Sequence, residues 1–268
     1  MLLLASIPSP SFNTISLGPL EIHIYGLLIG FGVFIAAALT IRRYEAMGED
    51  GSIVESVLLW AIGLGFLGAR AAYVSTHLSR FEGEWWKVIA IWEGGLALFG
   101  GLTVGTLTAV YLIRRRGGNA WKLIDAAAVG IPAAQAIGRW GNYFNQELFG
   151  TPSTLPWAVE IAPGRRPAEF AEFETFHPTF LYESLWNALF VIPALLWIER
   201  RFKLPTGGLF MVYAALYGVG RFALELIRTD TSFRLLGLSR NGWVSLAVVI
   251  GALVLLAIRR RVAADDAA

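Results

Sequence analysis

The sequence contains no cysteine. Disulfides, thiolate metal sites and a cysteine nucleophile of the protein's own are thereby excluded, and any thiol chemistry has to come from a substrate. The chain is also poor in charge: 16% of its 268 residues are charged against 56% hydrophobic, with a mean hydropathy of +0.57. That balance is too apolar for a soluble domain of this size and points to lipid as the medium. The net charge of +2 is small, and basic residues fall in short clusters between apolar runs, unlike the continuous basic face of a nucleic-acid binder. Histidine is scarce, and no set of His and carboxylate residues has convincing ligand spacing. Neither a metal nor any other cofactor is therefore expected. Met1 to Ala5 is apolar but ends at Ser6-Ile7-Pro8-Ser9-Pro10. It is too short for a signal-peptide core and lacks a basic lead-in, so the first span is expected to direct insertion itself.

Long apolar runs make up most of the chain. A spanning helix needs about 20 mainly apolar residues, which leaves room for about seven spans and one sizeable loop. Hydropathy places the spans near 20–41, 53–77, 88–113, 120–137, 179–198, 207–227 and 243–258. Basic clusters follow every second span: Arg42-Arg43, Arg114-Arg115-Arg116 with Lys122, Arg200-Arg201 with Lys203, and Arg259-Arg260-Arg261. The positive-inside rule assigns that side to the cytoplasm, with the N-terminus outside and the C-terminus inside. The expected fold is an all-α polytopic membrane protein, a single transmembrane domain over 1–268. The segment at about 138–178 forms a small extracytoplasmic head, made irregular by Pro152, Pro156, Pro163, Gly164 and Pro167. A short strand is expected within it at Trp157 to Ile161. Trp85 and Trp86 have the place of an interfacial aromatic belt. The glycines at 63, 65 and 68, and at 94, 95, 100, 101 and 105, have the spacing that lets helices approach closely in lipid.

Charges inside a span are expensive and mark pathways or sites, so their depth is informative. In the expected topology Arg70, Glu93, Arg139, Tyr182 and Glu183 all fall in the outer half, with His23 and Tyr25 near the outer end of the first span. On the sixth span Tyr217, Arg221, Glu225 and Arg228 recur at intervals of four, four and three, which is one helix face. At 1.5 Å per residue Arg221 lies about 20 Å along that span. Arginine suits an anion because its planar fork donates two parallel hydrogen bonds without deprotonating. The commonest such anion in a leaflet is a phospholipid headgroup, so a phospholipid-handling protein with an outward-facing site is implied. A transporter for an anionic solute is the alternative, but it predicts internal repeats and polar lining through both halves. A purely structural membrane protein would have no use for clustered outward arginines.

Two motifs sharpen this. Gly138-Arg139-Trp140-Gly141-Asn142-Tyr143-Phe144-Asn145-Gln146-Glu147-Leu148-Phe149-Gly150 reads as a helix breaking out into a segment of amides and glycine that wraps a polar group. His177-Pro178-Thr179-Phe180-Leu181-Tyr182-Glu183 reads either as a plain helix start or as part of the site.

These segments, in this order, resemble the prolipoprotein diacylglyceryl transferase family of bacterial membrane enzymes. The match runs nearly end to end. It includes Leu17-Gly18-Pro19 to Tyr25-Gly26, Trp92-Glu93-Gly94-Gly95 with Gly100-Gly101, and Tyr217-Gly218 through Arg221-Phe222 to Glu225 and Arg228. The Arg139 segment is the most specific. The resemblance implies transfer of a diacylglyceryl group from phosphatidylglycerol to the lipobox cysteine thiol of a prolipoprotein signal peptide. A thioether forms and glycerol phosphate is released, as the first step of lipoprotein maturation. It further implies the bacterial cytoplasmic (inner) membrane and a site toward the extracytoplasmic side; the dispersed interfacial glycines are compatible with a monomer. Arg139 and Arg221 are the expected phosphodiester ligands and charge stabilisers, with Tyr25, Asn142 and Glu147 orienting headgroup and thiol. Gly150, His177, Tyr182, Glu183, Tyr217, Glu225 and Arg228 complete the expected substrate-binding set. Many family members have a histidine just before the second Gly-Gly pair where this chain has Phe99. That histidine's role is not carried over; His23, Tyr25 and Glu147 stand as candidate bases, and the alternative is that the few per cent of thiolate present near neutral pH suffices beside two arginines.

Overall fold

The computed structural model describes residues 6–18, 20–90, 94–229 and 234–265. Met1 to Ala5, Pro19, Trp92 and Glu93, on which expectations were placed, lie outside the described residues. The fold is mostly helical: α1 (Ile24–Ala46), α2 (Gly51–Thr76), α3 (Leu98–Arg115) and α4 (Ala120–Asn145) are followed by α5 (Thr179–Leu185). A π-helical turn, Trp186–Val191, carries α5 directly into α6 (Ile192–Arg201), and α7 (Gly208–Glu225) and α8 (Arg240–Asp265) complete the series. Three short antiparallel hairpins join Thr14–Leu17 to Leu20–His23 (β1, β2), Val159–Glu160 to Thr175–Phe176 (β3, β4), and Arg234–Leu235 to Leu238–Ser239 (β5, β6).

Each of the seven expected spans coincides with a helical run, and the boundaries differ in instructive places. Among the described residues α1, α2, the continuous run Thr179–Arg201 and α8 are long and apolar enough to cross a membrane. Large apolar side chains on these helices point away from the protein, among them Phe34, Leu59, Leu189 and Leu253, which suits a membrane protein whose outer surface meets lipid. The run expected from residue 20 starts as strand β2, and helix begins at Ile24. The run expected from residue 88 becomes helical at Leu98, because a 3-10 turn occupies Trp85–Ile89 and Gly94 and Gly95 adopt φ of +82° and +69°. Residues 138–145, assigned to the irregular head, belong to α4. The break comes at Gln146, with φ 51°. The strand expected at 157–161 is shorter and pairs only Val159 and Glu160.

Local chemistry explains the helix ends. Asp50 caps α2 by accepting from the Ser52 backbone N–H at 2.9 Å and from the Ser52 hydroxyl at 2.7 Å. Those two bonds, the hydroxyl's the larger, hold the Asp50 carboxyl below its ordinary pKa. Asn119 caps α4 by accepting from Trp121 N and Lys122 N at 2.9 and 3.2 Å.

The chain divides into two compact units, 40–126 and 1–39 with 127–268. In the first of these, α2 and α3 pack through glycine: a Cβ at Gly100 would strike the Ala72 side chain, and one at Gly105 would lie 3.1 Å from the Ala61 carbonyl. This is the close approach expected of small-residue faces. Tyr44, Val54, Val57 and Ile113 are fully buried beside them. In the second unit Ala128 and Val129 of α4, Val191 and Leu195 of the α5–α6 run, and Leu209 and Tyr213 of α7 form one apolar cluster. Phe149, Val159, Ile161, Phe176 and Phe180 form the core of the head.

Candidate active site

That second unit brings most of the expected site residues together. Arg139 on α4 is the hub: its Nη2 lies 2.6 Å from Glu183 Oε1 on α5, and its Nη1 donates to Asn142 Oδ1 at 3.3 Å. Tyr217 on α7 donates its hydroxyl to the same Glu183 oxygen at 3.1 Å. Asn142 passes the connection onward, donating to Glu147 Oε1 at 2.9 Å, where Asn145 also donates at 3.3 Å. Tyr25 lies within electrostatic reach of Glu147 and Arg139. Its ring rests where a Cβ at Gly141 would project, so glycine is what admits Tyr25 to the α4 surface.

Arg221 sits on the same face of α7 as Tyr217, which interacts electrostatically with both Arg139 and Arg221. Its Nη2 is 2.7 Å from Glu225 Oε2. This pair is four residues apart within one helix, so it joins no two helices. The other Glu225 oxygen accepts from Ser239 at 2.8 Å and Asn241 at 3.3 Å. Arg221 Nη1 is buried and has no hydrogen-bond partner among the described residues. A buried charged donor is normally satisfied, so this nitrogen calls for an acceptor that the described residues do not supply.

Gly150 brings the remaining pieces close. Its N–H donates to the His177 carbonyl at 2.9 Å, it bridges to Arg228, and a Cβ there would lie 2.9 Å from the Ile227 carbonyl. Arg228 is buried and, with Arg139, Asn142, Leu148, Thr179, Phe180 and Glu183, lines a narrow crevice. His177 and Tyr182 are placed differently from the cluster: His177 Nδ1 and the Tyr182 hydroxyl are 3.1 Å apart, and Trp157 donates to that hydroxyl at 3.0 Å. His23 is exposed at the end of β2. Phe99 is 78% exposed on α3.

Arg70 departs from the reading of an anion-facing arginine. It is buried in the other unit and donates to the carbonyls of Val88 at 2.9 Å and Gly95 at 3.0 Å, and to those of Lys87 and Gly94. Backbone occupies its fork. Several participants were not singled out from the sequence. Ser239 and Asn241 hold Glu225, and the Thr179 hydroxyl bonds the Leu148 carbonyl. The Tyr213 hydroxyl donates to Gln135 Oε1 at 3.1 Å. Gln135 and Tyr213 each precede a site residue by four, and that spacing was the available signal. Ser239 and Asn241 come from a different hairpin and helix, and only the fold brings them in. Gln146 and Leu148, at φ 51° and 58°, flank Glu147 in a strained conformation that non-glycine residues rarely adopt.

The sequence profile described as prolipoprotein diacylglyceryl transferase matches residues 13–258. A phosphatidylglycerol–prolipoprotein diacylglyceryl transferase of Streptomyces coelicolor is 43% identical over 258 residues, covering 95% of this chain and 81% of that protein. Proteins of the same name from Cutibacterium acnes and Frankia alni are 42% and 45% identical. They are covered over 87% and 68% of their lengths by 96% of this chain in each case. With the arginine and glutamate cluster assembled as described, these similarities over nearly the whole length establish that the chain belongs to the prolipoprotein diacylglyceryl transferase family.

Proposed function

We propose that this protein transfers the diacylglyceryl group of phosphatidylglycerol to the lipobox cysteine thiol of prolipoproteins, in the bacterial cytoplasmic membrane with its site facing outward. The observation that carries the reading is Arg221 Nη1, a buried cationic donor with no acceptor among the described residues, on a helix whose Tyr217 interacts with both Arg221 and Arg139. A phosphodiester oxygen fits that donor. In the reaction the substrate thiol sulfur attacks the glyceryl methylene and a C–S bond forms. The bond from that carbon to the phosphate ester oxygen breaks, its electron pair stays on the oxygen, and the thiol proton is lost. Arg221 and Arg139 stabilise the charge that grows on the departing glycerol phosphate. Tyr25 and Glu147, the two ionisable candidate bases held near Arg139, stand where the thiol's proton has to go. Asn142 orients Glu147, and Glu183 and Tyr217 orient Arg139. Gly150 and Arg228 shape the crevice, with His177 and Tyr182 at its margin and Glu225 fixing Arg221. Seven spans, with the N-terminus outside and the C-terminus inside, and a monomer acting on lipid and signal peptide complete the reading.

The test uses the purified protein in bicelles containing phosphatidylglycerol, with a synthetic lipobox peptide. Peptide mass and released glycerol phosphate are followed together, with Arg139→Ala and Arg221→Gln alongside. Diacylglyceryl peptide and glycerol phosphate in equal amounts, both lost in folded variants, are expected. Full activity in either folded variant would remove that arginine from the mechanism, and no product from the folded parent would overturn the reading.

A further inference from the structure

Asn187 is fully buried, and neither its amide nitrogen nor its amide oxygen has a hydrogen-bond partner among the described residues. It is the second residue of the π-helical turn Trp186–Val191, a local widening of the helix that recurs at functional sites. Its level in the helix cluster follows from its neighbours on the same run. Four residues before it, Glu183 meets Arg139 and Tyr217. Four residues after it, Val191 packs in the apolar cluster with Val129, Leu209 and Tyr213. On the two facing helices the residues one turn from Arg139 and Tyr217 are Gln135 and Tyr213, and these are bonded to each other at 3.1 Å. The three helices thus carry a second polar level, one turn beyond the Arg139–Glu183–Tyr217 cluster, made of Gln135, Tyr213 and Asn187.

We propose that Asn187 binds internal water at this level. An amide in an apolar interior that bonds to nothing is unfavourable, and a leucine would fill similar space without that cost. A buried water making about two to four hydrogen bonds removes the penalty and is a normal part of protein interiors. The chemistry fits water rather than an anion, because the three side chains of this level carry no formal charge. It also excludes a lipid tail, which would leave the amide unsatisfied. The level is connected to the site above it: the rings of Tyr213 and Tyr217 stack with centroids 6.0 Å apart, and the Tyr217 hydroxyl holds Glu183. Water at Asn187 therefore supports the underside of the cluster that orients Arg139. This holds whichever reaction the cluster performs.

Magnetisation transfer from water to the side-chain amide of Asn187 tests the proposal, in asparagine-labelled full-length protein in nanodiscs by solid-state NMR. The resonance is assigned by its loss in Asn187→Leu and, should that variant fail to fold, in Asn187→Ala. A water cross peak at the Asn187 amide is expected, and its absence overturns the proposal. Thermal unfolding of Asn187→Leu supplies a second readout. If amide and water leave together, the midpoint stays at or above that of the parent. A fall of roughly 5 °C or more means that a protein partner has been stranded, and that result rejects the water site.

Discussion

Glu183, itself 4% exposed, lies 2.6 Å from the Arg139 guanidinium and so couples α5 to α4 through one ion pair in the apolar interior. Removing one partner of such a pair leaves the other charge uncompensated. Arg139 retains 23% exposure, so the cost falls below that of a fully buried pair. Glu183→Gln is expected to lose roughly 2 kcal/mol, and the Arg139→Gln, Glu183→Gln double variant to recover part of that loss. Thermal midpoints of the two single variants and the double variant form the cycle. A double variant less stable than either single would mean that the two residues are held independently.

How much of this was legible beforehand depends on what each residue does. Arg139, Glu183, Tyr217 and Arg221 were readable because charged and hydroxyl groups within apolar runs cannot be incidental. The interval of four places Tyr217, Arg221 and Glu225 on one face. Arg70 was misread for an equally physical reason: depth says that an arginine is buried but not what satisfies it. Here the answer is the carbonyls of a loop interrupted by Gly94 and Gly95, whose left-handed backbone is invisible to hydropathy. The roles of Ser239 and Asn241 at Glu225 depend on a hairpin that folds back from elsewhere in the chain. The overextended head arose from reading the whole Gly138 to Gly150 segment as a break out of the helix. In α4 the glycine at 141 instead opens space for Tyr25.

Arg70 offers a direct comparison of fork and point charge. Its Nε, Nη1 and Nη2 reach four carbonyls across residues 87–95. Lysine keeps the charge but has one nitrogen, so Arg70→Lys strands several buried acceptors. A loss of roughly 2–3 kcal/mol is expected, together with faster amide exchange at 85–90 and 94–98 than elsewhere in the protein. Unchanged exchange at those residues would show that their order comes from other contacts.

Gln146 combines strain with purpose. Its side chain donates to the Pro10 carbonyl at 3.2 Å and accepts from Ala162 N–H at 2.8 Å, while its backbone sits at φ 51°. Gln146→Ala loses both bonds and keeps the strained conformation, for a predicted cost of roughly 2 kcal/mol. Gln146→Gly loses the same bonds but relieves about 1 kcal/mol of left-handed strain, so it should be the more stable of the two. Denaturation of the two variants in the same detergent decides this. The opposite ranking would mean that the side chain, and not the turn, sets the conformation.

Asp50 supplies a pH-dependent prediction away from the site. Its carboxylate caps α2 through Ser52, and the two hydrogen bonds hold its folded pKa below the reference value of 3.8. For a carboxyl whose pKa is depressed on folding, the stabilisation is fully present above the unfolded pKa and disappears as pH falls through the folded one. The Ser52 amide resonance should therefore keep its hydrogen-bonded position at neutral pH and move as the solution is acidified below 3.8. Asp50→Asn retains a side-chain oxygen for the cap but does not titrate. Its Ser52 resonance should stay flat over the same range. A parent resonance as flat as that of the variant would show that the carboxylate is not the group holding the first turn of α2.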